Sequence, residues 1–209
     1  MSPQIAYPFG RSLYLNLTQR CPTGCAFCFK TSSHRRFHGH DLSLDAEPTT
    51  EQAWQAVLGR PAQERYQEVV FCGYGESTYR LEAMLELGAR LRLRFPASPR
   101  RLNTVGLGSV IWGRDIAPEL AAGLDLVCVS LNTADPEQWR RLHRPVAELG
   151  PAGHADVVSF IESCVRSGLR TTVTAVELPG VDLPAVRSLA ARLGAAFRPR
   201  PLLSDGLDA

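Results

Sequence analysis

The stretch CPTGCAFC, residues 21–28, follows directly after a strand-like run at residues 13–18. Its three thiols belong to Cys21, Cys25 and Cys28, and no fourth cysteine lies nearby. A structural zinc ion or an electron-transfer iron–sulfur cluster usually takes four protein ligands. Three thiolates on a four-iron cluster would instead leave one iron open, and an open metal position is where a substrate or cofactor binds.

The composition of the 209 residues is ordinary for a globular chain, with 44% apolar residues and a net charge of +2. This charge gives no reason to expect nucleic acid or an acidic membrane surface as a partner. No apolar run reaches the ~18 residues of a membrane span, and the N-terminus lacks the layout of a signal peptide. Cys72, Cys128 and Cys164 stand alone in apolar segments, as buried reduced thiols do. These observations predict one domain, residues 1–209, in the cytoplasm.

Short apolar runs alternate with segments whose apolar residues recur three and four positions apart. The predicted strands are residues 13–18, 68–72, 101–105, 124–131, 171–176 and 196–201. About five helical segments separate them, which indicates βαβ units and a parallel sheet. Six units are too few for a closed eight-fold barrel. The sequence therefore predicts an α/β fold, a partial (β/α)6 TIM-type barrel with helices outside, and irregular structure at 31–48 and 144–153.

The spacing C-x3-C-x2-C, with Phe27 just before the last cysteine, resembles the signature of the radical SAM superfamily. The resemblance implies that Cys21, Cys25 and Cys28 hold a [4Fe-4S] cluster. It further implies that the open iron binds S-adenosyl-L-methionine (SAM) through the amino and carboxylate groups, with Phe27 beside the cofactors.

A second motif follows the second predicted strand. Glycines 73 and 75 in Gly-Tyr-Gly-Glu let the backbone approach a ligand closely, although a plain strand-exit turn has the same composition. In this position the motif resembles the superfamily's GGE motif, which holds the amino group of SAM. The resemblance places Tyr74, Gly75 and Glu76 there.

Polar residues at two further strand ends are candidate contacts, because active sites of such barrels lie at the carboxyl ends of the strands. The third strand ends in residues 103–106, where Val105 stands in place of the Asn usual in the superfamily and Asn103 is either a contact or a turn residue. Ser130 and Asn132 share one face at the end of the fourth strand. They resemble the contacts to the ribose and the methionine carboxylate, whereas a local capping turn is the structural alternative.

Within the superfamily the chain looks most like the TatD-associated radical SAM proteins. Their partner by gene neighbourhood is a TatD-type hydrolase, and their substrate is not settled. The resemblance spans about residues 12 to 202. It is carried by the segments 12–18, 70–76, 113–120 and 178–182.

The reaction implied by the resemblance is reductive cleavage of SAM, giving methionine and a 5′-deoxyadenosyl radical that abstracts a hydrogen atom. The electron would come from a donor such as flavodoxin or ferredoxin. The substrate and the catalytic residues that act on it are not indicated by the sequence.

Several alternatives stay open at this point. A glycyl-radical-activating enzyme and a deazaguanine-synthase-type enzyme share the truncated barrel. There are two non-enzymatic alternatives. One is an inactive scaffold, and the other is a zinc-binding module in which His34, His38 or His40 is the fourth ligand. The loop 34–40 could otherwise be solvated. Arg198 and Arg200 share one face of the sixth strand, where they either form a carboxylate or phosphate clamp or are solvated.

Overall fold

The computed structural model describes residues 4–28, 36–61 and 66–202. In chain order its strands are β1 (Ala6–Phe9), β2 (Ser12–Leu15), β3 (Arg36–Phe37), β4 (His40–Asp41), β5 (Val69–Phe71), β6 (Arg100–Thr104), β7 (Leu126–Ser130), β8 (Arg170–Val176) and β9 (Ala196–Arg200). Seven of them form one sheet in the order β1-β2-β5-β6-β7-β8-β9, and β3 pairs with β4 separately. Strands β2 to β9 of the main sheet are mutually parallel, while β1 runs antiparallel to β2.

The helices are α1 (Thr50–Leu58), α2 (Leu81–Arg94), α3 (Gly108–Trp112), α4 (Ala117–Gly123), α5 (Pro136–His143), α6 (His154–Arg166) and α7 (Leu183–Arg192). Side chains cap the N-termini of several of these helices. Thr49, Asp135 and Asp182 each accept a backbone N–H of the first turn of α1, α5 and α7. Pro136 stands at the first position of α5, where its missing N–H costs nothing.

The main sheet has two chemically different faces, because side chains alternate along each strand. One face is apolar and joins the helices in the hydrophobic core, through residues such as Leu15, Phe71, Leu102, Val129 and Val173. We call the opposite, largely polar face the inner face. It is lined by Tyr14, Asn16, Cys72, Arg101, Asn103, Cys128, Ser130, Thr172, Thr174, Arg198 and Arg200.

Side chains reach across this inner face. Arg198 of β9 donates to the sulfur of Cys128 on β7 at 3.7 Å, over the intervening strand β8. The backbones of alternate strands lie about 10 Å apart, since neighbouring strands lie ~4.8 Å from each other, and the long arginine side chain spans this distance. The sheet order confirms the six predicted strands and the α/β class, with β2, β5, β6, β7, β8 and β9 as the parallel set.

Five elements differ from the sequence prediction. Strand β1 was not predicted, because proline usually breaks a strand, although Pro8 is tolerated at a sheet edge. The pair β3–β4 lies in the segment predicted to be irregular. Helices α3 and α5 were also missed. Helix α5 buries only Trp139 and His143 and is otherwise mostly polar, so its apolar stripe is too short to predict a helix.

Among the residues that the structure describes, no helix is both long enough and apolar enough to cross a membrane.

Candidate active site

The cysteine loop, residues 21–28, is held by backbone contacts to the C-terminal end of α5. The amide of Gly24 donates to the carbonyl of Arg144 at 3.0 Å, and that of Ala26 donates to Leu142 at 2.8 Å. Val146 in turn donates to the carbonyl of Pro22 at 3.0 Å. The loop is thus fixed by the chain that follows α5, a helix that the sequence analysis did not identify.

The three thiols of the loop are half-buried and share polar contacts. The hydroxyl of Thr23 lies 3.6 Å from the sulfur of Cys21 and 3.3 Å from that of Cys25. The amide of Cys28 donates to the carbonyl of Cys25 at 3.1 Å. Within residues 4–28, 36–61 and 66–202, no three His, Cys, Asp or Glu side chains are grouped closely enough to hold a single metal ion.

The pKa of Cys25 is raised to about 12, mainly by burial and in part by the neighbouring Cys21 and Cys28 thiols, against the hydrogen bond of Thr23. The thiol is therefore protonated at neutral pH until a cation replaces the proton. Three thiols in one loop suit a ligand that brings compensating positive charge. A four-iron cluster with one open iron fits this donor set.

His143 on α5 contacts the cysteine loop directly. Its Nδ1 atom lies 3.5 Å from the sulfur of Cys25, and its ring stacks on Trp139 at 4.6 Å between centroids. Phe27 meets the same ring edge-on at 5.6 Å. Burial lowers the pKa of His143 to about 4, so the imidazole is neutral at physiological pH.

Asn132 continues this contact from His143 to the end of β7. The amide N–H of Val176 donates to Asn132 Oδ1 at 2.9 Å, which orients the side chain. Asn132 Nδ2 therefore faces His143 Nε2, at 3.0 Å, and donates to it. A neutral imidazole has one donor and one acceptor, so donation from Asn132 favours the ring proton on Nδ1, which faces the sulfur of Cys25, while the backbone of Leu131 is a second acceptor beside the ring.

Asn132 also has an unusual backbone conformation, with φ of 65°. Asn is one of the few residues that adopt this left-handed region at low cost. The sequence analysis left open whether Asn132 was a ligand contact or a local capping residue. The structure shows that its amide is engaged by Val176 and His143, and leaves its role toward a cofactor as a prediction.

The Gly-Tyr-Gly-Glu motif lies against the chain that leads into the cysteine loop. A Cβ atom on Gly75 would lie 2.5 Å from the carbonyl oxygens of both Thr18 and Arg20. One on Gly73 would lie 2.2 Å from the side-chain oxygen of Asn16, which accepts the amide of Tyr74 at 3.0 Å. The two glycines are therefore needed for the close approach of this turn to residues 16–20.

Glu76 is buried and its carboxylate already has several partners. One oxygen accepts from the amide and hydroxyl of Thr78 at 3.1 and 2.9 Å, and the other accepts from the amide of Val105 at 2.8 Å. Burial raises its pKa, while these hydrogen bonds oppose that effect. A carboxylate has about four acceptor sites, so at most one stays available for a ligand.

The two other predicted contacts lie on the inner face. Ser130 Oγ is 3.5 Å from Thr174 Oγ1 of the neighbouring strand. Asn103 lies deeper, where it accepts a hydrogen bond from Arg101 at 2.6 Å. Ser130 is thus near the carboxyl edge of the sheet, and Asn103 is further from it.

The histidines considered as zinc ligands lie elsewhere. His38 packs on the ring of Phe9, and His40 contacts Gln4 at 2.6 Å and the ring of Tyr7. His34 lies outside the described residues. The histidine that contacts a cysteine of the loop is His143, which the sequence analysis missed. Asp135 and Pro136 mark the start of its helix, and this capping signal could have placed His143 on the same helix face as Trp139.

The comparisons with known proteins agree with this geometry. The family model described as Radical SAM superfamily matches residues 15–193. No curated protein matches the chain. This chain belongs to the radical SAM superfamily, whose members are enzymes that use a [4Fe-4S] cluster and SAM. The predicted class of enzyme and its two cofactors are thereby confirmed at the level of the family.

Solved structures share the fold. A radical SAM methyltransferase from Sphaerobacter thermophilus is 18% identical with a TM-score of 0.59, and the match covers 94% of this chain and 57% of that one. SuiB from Streptococcus suis is 14% identical with a TM-score of 0.67, covering 96% and 42%. Methylornithine synthase (PylB) is 12% identical with a TM-score of 0.58, covering 94% and 56%. The chain thus spans about half the length of these proteins, and the predicted partial barrel is confirmed.

Proposed function

We propose that this chain cleaves SAM reductively at a [4Fe-4S] cluster held by Cys21, Cys25 and Cys28, and uses the resulting radical on a substrate. The observation that carries this proposal is the contact of Cys25 with His143, which Asn132 extends to the carboxyl edge of β7 and β8. It joins the thiol loop to the edge of the sheet where cofactors of such barrels bind. When bound, the cluster supplies one electron to SAM, which splits into methionine and a 5′-deoxyadenosyl radical that abstracts a hydrogen atom.

The protein's own residues would position these cofactors. Tyr74, Gly75 and Glu76 form the turn proposed to receive the amino group of SAM, and the packing of Gly75 against Thr18 and Arg20 fixes that turn beside the cysteine loop. Glu76 holds the turn in place through Thr78 and Val105. Its role is therefore to shape the backbone that faces SAM.

The remaining proposed SAM contacts come from other parts of the site. Phe27 lies between the last two cysteines and packs on His143, so it shields the thiol loop from water. Ser130 and Asn132 would meet the ribose and the methionine carboxylate at the end of β7, and Asn103 would lie below them on the inner face. The neutral His143 donates its ring proton toward Cys25, a hydrogen bond of the kind that tunes the potential of iron–sulfur clusters.

The finer assignment is to the TatD-associated radical SAM proteins, with a TatD-type hydrolase as functional partner and a cytoplasmic location. Its support is the sequence of residues 12–18, 70–76, 113–120 and 178–182. A reaction of this class needs a substrate and an electron donor, for which flavodoxin or ferredoxin is proposed. One radical SAM core domain over residues 1–209 is part of the same proposal. Glycyl-radical-activating and deazaguanine-synthase-type reactions are the alternatives within the class.

The test is anaerobic electron paramagnetic resonance. The protein is reconstituted with iron and sulfide, reduced with dithionite, and measured with and without SAM. SAM bound at the open iron changes the signal of the reduced cluster. A signal that is identical with and without saturating SAM contradicts the proposal.

A further inference from the structure

We propose that Arg198 and Arg200 of β9 form an anion-binding site on the inner face, and that the substrate carries a carboxylate or phosphate group which this site holds. The proposal rests on the proposed function, because only a radical generated at the edge of the sheet gives a reason for a substrate to enter the inner face. Its own support comes from the position, charge and accessibility of the two arginines.

The pairing of the strands places both arginines on the inner face. Arg198 pairs with Thr174 and Arg200 with Val176, while Thr174 pairs with Ser130. Residues paired across parallel strands point to the same side of the sheet. Arg198 is therefore level with Ser130, one of the proposed SAM contacts, and Arg200 lies nearer the carboxyl edge.

Contacts across the sheet confirm this direction. Nη2 of Arg198 lies 3.7 Å from the sulfur of Cys128, two strands away. The charge of Arg200 opposes the increase in the pKa that burial causes at Cys72, the residue directly after β5. Arg198 thus points across the inner face, and the pairing of Arg200 with Val176 places it on the same face.

Arg101 provides an internal comparison. It is buried on the same face and its charge is paired with Glu68 at 2.9 Å. It also donates to Asn103 at 2.6 Å and to the hydroxyl of Tyr14 at 3.4 Å. The guanidinium of Arg101 is therefore engaged by neighbouring side chains on the inner face, near the start of β6.

Arg198 and Arg200 have no such compensation. Over residues 4–28, 36–61 and 66–202, neither makes an ion pair with a carboxylate. The hydrogen-bond partner of the Arg198 side chain is the thiol of Cys128, which is a weak acceptor. Two uncompensated cations on one face, with Arg101 behind them, produce a positive potential that attracts an oxyanion.

The geometry suits a planar or tetrahedral anion that enters from solvent. Arg198 is exposed and Arg200 is half-buried. They stand two residues apart on an edge strand, so their Cα atoms are ~6.6 Å apart. Each guanidinium presents parallel N–H groups that match a carboxylate or phosphate. The sequence left a clamp and a solvated edge equally open, and the strand pairing that places both arginines on the inner face favours the clamp.

The test uses the cluster-loaded protein, titrated anaerobically by calorimetry with inorganic phosphate and separately with succinate. Saturating SAM is present, so that its own carboxylate site is filled. We expect saturable binding of at least one of the two anions, and the stronger of them identifies the group. Arg198→Gln or Arg200→Gln should weaken it about tenfold or more, because each substitution removes charge-assisted hydrogen bonds to the anion.

Matched variants distinguish the loss of a binding charge from a loss of folding. Arg192→Gln removes one charge from an exposed position in the last turn of α7 and should leave anion binding unchanged. Arg198→Lys should retain part of the affinity. Iron content and thermal unfolding establish that each variant is folded and loaded.

Three results would overturn the proposal: no saturable binding to the parent protein, equal binding to the Arg198→Gln/Arg200→Gln double variant, or loss of SAM affinity in place of anion affinity. The last would assign the arginines to SAM. Failure of the proposed function is distinguishable, because it would appear as an absent SAM response in the parent protein whatever the anion result.

Discussion

The imidazole of His143 lies with Nδ1 3.5 Å from the sulfur of Cys25, across 118 positions of sequence. Its other nitrogen is 3.0 Å from Asn132, which anchors the ring to the carboxyl edge of the sheet. A proposed cluster ligand is therefore connected through one neutral side chain to a proposed SAM contact. Hydrogen bonds to cluster sulfurs raise the reduction potential, so this connection should affect both cofactors.

Replacing His143 by Phe should lower the midpoint potential of the cluster while iron is retained. Phe keeps the stacking on Trp139 but removes the N–H that points at Cys25. It also leaves the amide of Asn132 without its acceptor, which should cost about 1–3 kcal/mol in the free energy of unfolding. A redox titration followed by paramagnetic resonance measures the potential.

The matched control for that variant is His154→Phe. His154 lies on α6, where its ring contacts the carbonyl of Thr133 at 3.2 Å. Its hydrogen-bond partner is a backbone carbonyl, so its replacement should leave the potential unchanged. An equal potential in the parent protein and His143→Phe would contradict the proposed hydrogen bond.

Replacing Cys25 by Ala should reduce bound iron to a small fraction of the parent level. Cys164→Ala is the control, because Cys164 is buried in α6 and belongs to the hydrophobic core. Iron and sulfide are measured after anaerobic reconstitution. If Cys25→Ala carries as much iron as Cys164→Ala, the proposed three-cysteine ligation is wrong.

Replacing Gly75 by Ala should destabilise the protein by about 1–3 kcal/mol, the usual cost of forcing an extra methyl into a packed site. The new Cβ would meet two carbonyl oxygens at 2.5 Å, and SAM binding should weaken as the turn moves. Gly24→Ala is the matched control within the cysteine loop, since its Cβ would meet nothing closer than 3.9 Å. Chemical denaturation compares the two, and equal stabilities would contradict the close approach.

Two replacements of Asn132 distinguish the contribution of its backbone conformation from that of its side chain. Asn132→Gly and Asn132→Ala both remove the amide that contacts Val176 and His143. Only Ala is strained at φ of 65°, at a cost of about 1 kcal/mol or more. We expect Ala to be less stable than Gly by that amount, while both lose SAM affinity. Parent-like affinity in both variants would remove Asn132 from the SAM site.

The sequence predicted the parallel strands well because buried parallel strands are nearly continuous apolar runs. Strands β5 and β7 have this character. Strand β1 was missed because an edge strand needs no such run and tolerates Pro8. Helix α5 was missed because most of its surface is polar and its packing relies on Trp139 and His143.

For the candidate site, the sequence identified the three cysteines and the Gly-Tyr-Gly-Glu turn because their spacing is local. It did not identify His143, whose neighbours Cys25 and Asn132 are set by how α5 docks on the cysteine loop. It also left the role of Arg198 and Arg200 undecided. That question depends on how β9 pairs with the neighbouring strands, which a pattern along one strand does not contain.

The most direct measurement is an anaerobic assay for 5′-deoxyadenosine by mass. The reconstituted protein is reduced with dithionite and supplied with SAM, and Cys25→Ala serves as the inactive comparison. We predict 5′-deoxyadenosine and methionine in equal amounts, dependent on the reductant and absent with Cys25→Ala. A protein that binds stoichiometric zinc, takes up no iron and leaves SAM intact would contradict the account.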